Sequence, residues 1–309
     1  MYAMASSVSK QIREMLIYEI APKFTDTPLE VQRKTWEAMG AKTILPESIK
    51  VEPLTAGGVP AEWVFSSESA SDRVILYLHG GGQVMGSCNT HRGLASELAL
   101  ASSVRVLLID YRLAPENPPP SGLEDAIAAY RWLFSQGIDN GRIVIAGDSA
   151  GGGLSISTFV ALRDAGDPLP AAGVLLSPMV DWAIVGDSVT SRAQYDPMLT
   201  KQSLNDAATW LCGDQDPKTP YISPLYAELH GLPPLYIVVG ADEILLSDST
   251  RLTERVAMAG GGVSLEVWPD MWHVFQFFAS VLPEGKQSLE KIGAFIRKNF
   301  VCHNNTDSH

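Results

Sequence analysis

Past about residue 50, apolar runs too continuous to alternate with polar positions recur along the chain: RVILYLH (73–79), VRVLLID (104–110), RIVIAGD (142–148), AGVLLSP (172–178), LYIVVG (235–240) and VSLEVW (263–268). Strands covered on both faces read this way. Two earlier segments, VEPL and AEWVF, alternate as half-buried strands do. Helical spacing fills the intervals at about 89–102, 122–136, 150–164, 246–258 and 285–299. Strands alternating with helices predict an α/β domain with a mainly parallel sheet.

Two stretches depart from that rhythm. Residues 10–20 and 28–39 carry helical apolar spacing, with Ile12, Met15 and Leu16 on successive turns and Pro22 and Pro28 as breaks. Between Ser177 and Leu235 lie about 57 residues, where an ordinary connection takes about 2–6 plus a helix. That insertion predicts a helix over about 200–212 and two proline-bearing loops, DQDPKTPYISP and LHGLPP. Residues 1–45 are expected to form N-terminal cap helices. Residues 46–309 form the main domain, with a cap insertion at about 180–225 lying over the C-terminal edge of the sheet, where open α/β folds place their sites.

Composition narrows the partners. The 309 residues are 46% hydrophobic, which excludes a disordered tail, and carry a net charge of −12. Nucleic-acid grooves and anionic membrane surfaces need clustered Lys and Arg, so neither is expected, and a small neutral or apolar ligand is. Cys88, Cys212 and Cys302 are odd in number and far apart, fitting neither a zinc site nor a disulfide framework. With no signal-like N-terminal run, a reducing, cytoplasmic setting is expected, and no apolar stretch is long enough to cross a membrane.

The strongest chemical pattern is Gly147-Asp148-Ser149-Ala150-Gly151, a G-x-S-x-G between an apolar strand and a helix. A serine hydroxyl becomes a useful nucleophile when it projects from a sharp turn, and flanking glycines remove the Cβ atoms that would collide there. Gly186-Asp187-Ser188 begins alike but continues Val189-Thr190, without a second glycine or a preceding strand. His79-Gly80-Gly81-Gly82 follows a strand directly and offers close-approaching backbone amides to a developing oxyanion. The Gly80 and Gly81 amides, completed by that of Ala150, are the expected oxyanion hole. His79 reads better as a buried residue shaping the glycine loop than as a base.

Serine needs a histidine to take its proton and a carboxylate to hold the histidine's tautomer. His303 and His309 lie in a polar tail, His91 opens a helix, and His230 sits in a proline-rich connection. His273, in a loop just past the last strand, is left as the base. The acid should follow a strand between Ser149 and His273, where Gly240-Ala241-Asp242-Glu243 stands. Asp242 is preferred, Glu243 is a close competitor that pattern cannot separate from it, and Asp248 on the next helix comes third. No cofactor or metal is called for.

Over about 70–300 the chain resembles the hormone-sensitive-lipase-like esterases of the α/β-hydrolases, through HGGG at 79–82, Asp110-Tyr111-Arg112-Leu113-Ala114-Pro115-Glu116, GDSAG at 147–151, Asp242-Glu243 and Trp272-His273-Val274-Phe275. The resemblance implies eight strands, a helical cap, and Asp242 rather than Glu243 as the triad acid. Gln83 stands where relatives often carry an aromatic residue and is an expected polar contact near the site. Arg112 and Glu116 are expected to pair and fix a loop beneath it.

The function expected is a serine carboxylesterase acting on short- to medium-chain esters through an acyl-enzyme. An amidase or peptidase, and a non-catalytic small-molecule receptor of the same fold, are the alternatives. The strand at 263–268 is expected at a sheet edge, where a second copy could pair to make a homodimer.

Overall fold

A computed structural model describes residues 6–300; Cys302, His303 and His309 lie outside the described residues. The strands are β1 (Ile49–Ala56), β2 (Val59–Ser66), β3 (Ala70–Leu78), β4 (Val104–Ile109), β5 (Ile143–Asp148), β6 (Ala172–Leu176), β7 (Leu235–Gly240) and β8 (Val263–Trp268). They form one eight-stranded sheet in the order β1-β2-β4-β3-β5-β6-β7-β8. β2 runs antiparallel to both β1 and β4, and every other pairing is parallel. β8 lies at an edge, as expected.

The apolar runs follow from cover on both faces. In β3, Val74, Leu76 and Leu78 enter one core with residues of α4 (Ser121–Ser135), α5 (Ala150–Ala165) and α8 (Leu246–Met258). Ile75 and Tyr77 of the same strand enter a second core with α3 (Cys88–Ser102) and α9 (Pro283–Asn299). All five are fully buried, so no position could be polar without losing burial free energy of about 1.5–3 kcal/mol per side chain.

The N-terminal segment forms α1 (Ser7–Met15), a π-helical turn Leu16–Ile20, a 3-10 turn Ala21–Lys23 around Pro22, and α2 (Leu29–Gly40), which begins after Pro28. The Ser6 side chain caps α1 by accepting from the Ser9 amide. Within the insertion lie a single turn, α6 (Ser188–Ser191), and α7 (Lys201–Cys212), which Thr200 and Ser203 start with a reciprocal capping box. A third apolar cluster, including Val84, Ala150, Met179, Trp182, Leu204 and Leu245, joins glycine loop, serine turn and insertion.

The expected Arg112–Glu116 pair does not form. Arg112 binds Asp125 and Glu124 on α4, whereas Glu116 takes a bidentate contact at 2.7 and 2.8 Å from Arg33 of α2. Arg33 also donates to the Val84 and Ala114 carbonyls, tying α2 to the glycine loop. Arg33 lies far away in sequence and matches no local pattern, which hides it from sequence reading.

Candidate active site

Ser149 sits between β5 and α5 with φ 52° and ψ −123°, a conformation a side chain normally avoids. Such strain costs on the order of 1–3 kcal/mol and is held in place by its surroundings. The Ser149 amide donates to the Leu176 carbonyl at 2.8 Å, and its own carbonyl accepts from Met179 and Gly153. Glycine is obligatory beside it, since a Cβ on Gly151 would stand 2.0 Å from the Leu78 carbonyl oxygen.

Ser149, His273, Gly81 and Gly82 line one cavity of about 440 Å³ whose apolar walls are built mainly from Trp, Phe, Leu and Met, with polar residues such as Gln32, Gln202 and Asp206 among the lining. Its cover comes from the N-terminal segment, through Leu16, Ile20, Phe24 and Trp36, and from the insertion, through Trp182, Leu204 and Trp210.

His273 is buried, and its Nδ1 lies 3.1 Å from Glu243 Oε2. The acid against the histidine is therefore Glu243, and the expectation of Asp242 is corrected. Asp242 instead accepts from Arg13 Nη2 at 2.6 Å. The two neighbours occupy a turn in which the Ala241 amide is held by Trp268 and the Asp242 amide by Met271, and their side chains reach different partners. Glu243 is fully buried and turned inward, while Asp242 keeps contact with solvent.

Burial alone would lower the affinity of His273 for a proton. The hydrogen bond and charge of Glu243, aided by Asp196 and Asp148, outweigh it and hold the imidazole above its ordinary pKa of 6.5. Burial raises Glu243, against hydrogen bonds from His273 and the Ser177 hydroxyl. Ser177 also accepts from the Val274 amide at 3.1 Å, bridging the acid to the histidine loop.

Asp196 was not singled out by sequence. Half-buried in the insertion, it accepts from Met198 and Leu199 with one oxygen and from the Ile244 amide with the other at 2.9 Å, stitching the insertion to the residue after Glu243. Its only sequence trace is the pair Asp196-Pro197, which is common in turns.

The glycine loop corrects a second expectation. The Gly80 amide is already donated, to Asp148 Oδ1 at 3.0 Å and towards His91 Nε2 at 3.2 Å, so it is not free for an oxyanion. The Gly81 and Gly82 amides make no hydrogen bond to another described residue, and both glycines face the cavity. Their φ angles of 108° and 70° are left-handed, and a Cβ on Gly81 would meet the Met85 carbonyl oxygen at 2.2 Å. Ala150 opens α5, where first-turn amides lack partners within the helix.

Asp148, between Gly147 and Ser149, is the support beneath this loop. Its buried carboxylate binds the Tyr77 hydroxyl at 2.8 Å and lies 3.4 Å from His91. His79 has the shaping role expected: it stacks on Tyr111, its Nδ1 lies 2.8 Å from the Gly80 carbonyl, and burial together with the nearby His91 pushes its pKa down to about 3. Gln83 does not line the cavity; its side-chain oxygen lies towards Gly122 of α4, so the expected polar contact in the site is corrected.

Asp248, the third acid considered, has a different task. Its Oδ2 accepts from the Val180 and Asp181 amides at 2.8 and 3.0 Å, pinning the start of the insertion to α8. Burial, with Asp181 adding to it, pushes Asp248 from 3.8 up to about 7. A carboxyl raised on folding contributes stability below its unfolded pKa that is lost as pH rises through the folded one. Asp248→Asn keeps an oxygen for both amides but cannot titrate. The melting temperature of the wild type relative to this variant is therefore expected to fall between about pH 4 and pH 7 and level off above, as measured by calorimetry at matched ionic strength.

A family described by the alpha/beta hydrolase fold, Abhydrolase_3, matches residues 75–277. An acetyl-hydrolase of Streptomyces hygroscopicus is 43% identical over 261 residues, covering 84% of this chain and 86% of that protein. Among solved structures, an esterase from the bacterial hormone-sensitive lipase family is 46% identical with a TM-score of 0.92, covering 96% of this chain and 100% of the other. The esterase EstE5, solved after a soak with p-nitrophenyl butyrate, is 43% identical with a TM-score of 0.92 over 96% of this chain and 99% of its own. EstE5 has also been solved with PMSF.

Proposed function

Since the chain belongs to the hormone-sensitive-lipase-like esterase family of α/β-hydrolases, we propose that Ser149, His273 and Glu243 carry its carboxylesterase reaction, with the Gly81, Gly82 and Ala150 amides as oxyanion hole. The observation that carries this reading is the buried 3.1 Å contact between His273 Nδ1 and Glu243 Oε2, with Ser149 and His273 on the same cavity. Nδ1–H donates to Glu243, which leaves Nε2 as the acceptor for the Ser149 proton.

Ser149 Oγ attacks the ester carbonyl while His273 takes its proton. The oxygen that becomes negative is received by the three amides, each worth on the order of 10²–10³ in rate. Collapse of the tetrahedral intermediate expels the alcohol, protonated by His273, and leaves Ser149 acylated. Water, deprotonated by the same imidazole, then releases the acid. Glu243 stabilises the imidazolium at both stages.

The substrate is a small neutral ester of short to medium acyl chain. The cavity of about 440 Å³ and its apolar walls support that size and polarity, and a net charge of −12 disfavours anionic substrates. The N-terminal helices and the insertion act as the cap that limits substrate length. We assign the protein to a reducing, cytoplasmic setting, supported by Cys88 and Cys212 being buried and unbridged. No helix among the described residues is long and apolar enough to cross a membrane. The exposed edge of β8 is the surface offered to a second copy in a homodimer.

Covalent labelling tests the assignment. PMSF should transfer its sulfonyl group to Ser149 Oγ with loss of fluoride, adding one group per chain on the peptide containing residues 147–151, in parallel with loss of p-nitrophenyl butyrate hydrolysis. Label on another residue, or a fully labelled protein that still hydrolyses the ester, would remove Ser149 as nucleophile.

A further inference from the structure

We propose that Arg13 is a positioning residue that latches the N-terminal part of the cavity roof to the loops carrying Glu243 and His273, and so sets how well the site holds longer acyl chains. This rests on the esterase reading above and deepens it. Arg13 lies in the last turn of α1, outside the cavity lining. Its Nη1 donates to the Tyr195 carbonyl at 2.6 Å, and its Nη2 to Asp242 Oδ2 at 2.6 Å and the Asp270 carbonyl at 3.0 Å. The guanidinium carbon stands 5.7 Å from the centre of the Trp272 ring.

Those partners belong to three separate loops. Tyr195 is in the insertion beside Asp196, Asp242 immediately precedes Glu243, and Asp270 and Trp272 lead into His273. One planar side chain thus joins the roof to the insertion and to both loops of the acid–base pair. Arginine suits this task because its rigid fork addresses several acceptors at once.

The residues just past Arg13 form the roof. Met15, Leu16, Ile20 and Phe24 line the cavity, and Leu16–Ile20 adopt the π-helical turn that often marks functional sites. Among the described residues, α1 is otherwise held by Ile12 in the second core with Val8 and Met15 packed against it, by buried Ser9, and at its start by Ser6 binding Glu284. With Arg13 25% and Asp242 20% exposed, the ion pair is partly wet, strong enough to bias closure and weak enough to break and remake. An acetyl group at Ser149 needs little of this roof. A longer chain must pack against it.

Arg13→Met keeps the apolar stem over Trp272 and removes every donor. The test compares the variant with the full-length wild type by hydrogen exchange over residues 7–20 and by kinetics on p-nitrophenyl acetate and octanoate. Exchange there should accelerate about five-fold or more. The octanoate-to-acetate ratio of kcat/KM should fall about ten-fold, through KM for octanoate, with acetate turnover within about two-fold of wild type. Asp242→Asn should shift both readouts the same way and less. Unchanged exchange, or equal losses on the two esters, would overturn the latch. A wild type that hydrolyses neither ester would instead sink the esterase reading and the chain-length effect with it, while the exchange result still decides whether Arg13 holds the segment.

Discussion

Replacing Ser149 with alanine is expected to lower kcat for a p-nitrophenyl acyl ester by on the order of 10⁶, leaving the fold intact. The size follows from what is lost. Without Oγ there is no acyl-enzyme, and His273 and Glu243 have no proton to move, so the three groups fail together and not in proportion. What should survive is a residual rate above that in water, from the oxyanion amides and the apolar cavity. Folding should not suffer, because the Ser149 backbone bonds to Leu176, Met179 and Gly153 involve no side-chain atom. Alanine must still accept a φ near 52°, as serine does. Calorimetry alongside steady-state kinetics separates the effects: a variant that melts like the wild type and keeps most of its activity would end the assignment.

Glu243→Gln carries the second large effect. The amide is close in shape to the carboxylate but cannot hold the imidazolium charge, and it can leave His273 in the wrong tautomer. A loss on the order of 10⁴ in kcat is expected. Asp242→Asn is the control, staying within about three-fold of wild type on an acetyl ester, because Asp242 faces Arg13 and not His273. A pH profile adds a sign. His273 must be neutral to act, so activity rises with pH through its pKa, which in the wild type lies above 6.5 because Glu243 outweighs burial. Removing that charge leaves burial dominant, so the acid limb of kcat/KM in Glu243→Gln should move to lower pH, while Asp242→Asn leaves it in place. If Asp242→Asn proves the damaging change and shifts the limb, the acid assigned from the geometry is wrong.

The two corrected site residues share a cause. Gly80 and Gly81 look alike as letters, and so do Asp242 and Glu243 as acids at one turn. Which amide is free depends on the Asp148 carboxylate, a residue 68 positions away that occupies the Gly80 amide. Of the two acids, Glu243 meets His273 while Asp242 meets Arg13, from the far end of the chain. Pattern reading orders candidates along the chain, whereas these choices are made by competition between partners distant in sequence. The same holds for Glu116, expected beside Arg112 and taken by Arg33.

What the sequence determined by itself is whatever short-range chemistry dictates. Burial on both faces of a parallel sheet demands continuous apolar runs, and all eight strands and the larger helices lie where those runs and the helical spacings put them. The turn at Ser149 demands glycines at 147 and 151, so the proposed nucleophile was legible, as was His273 in its loop after the last strand. The tertiary structure alone decided which neighbour of each pair faces the site, how Asp196 and Asp248 pin the insertion, and how Arg13 joins α1 to three loops. Those are contacts between segments brought together only on folding, and a side chain's direction at a turn is fixed by the partner it finds there.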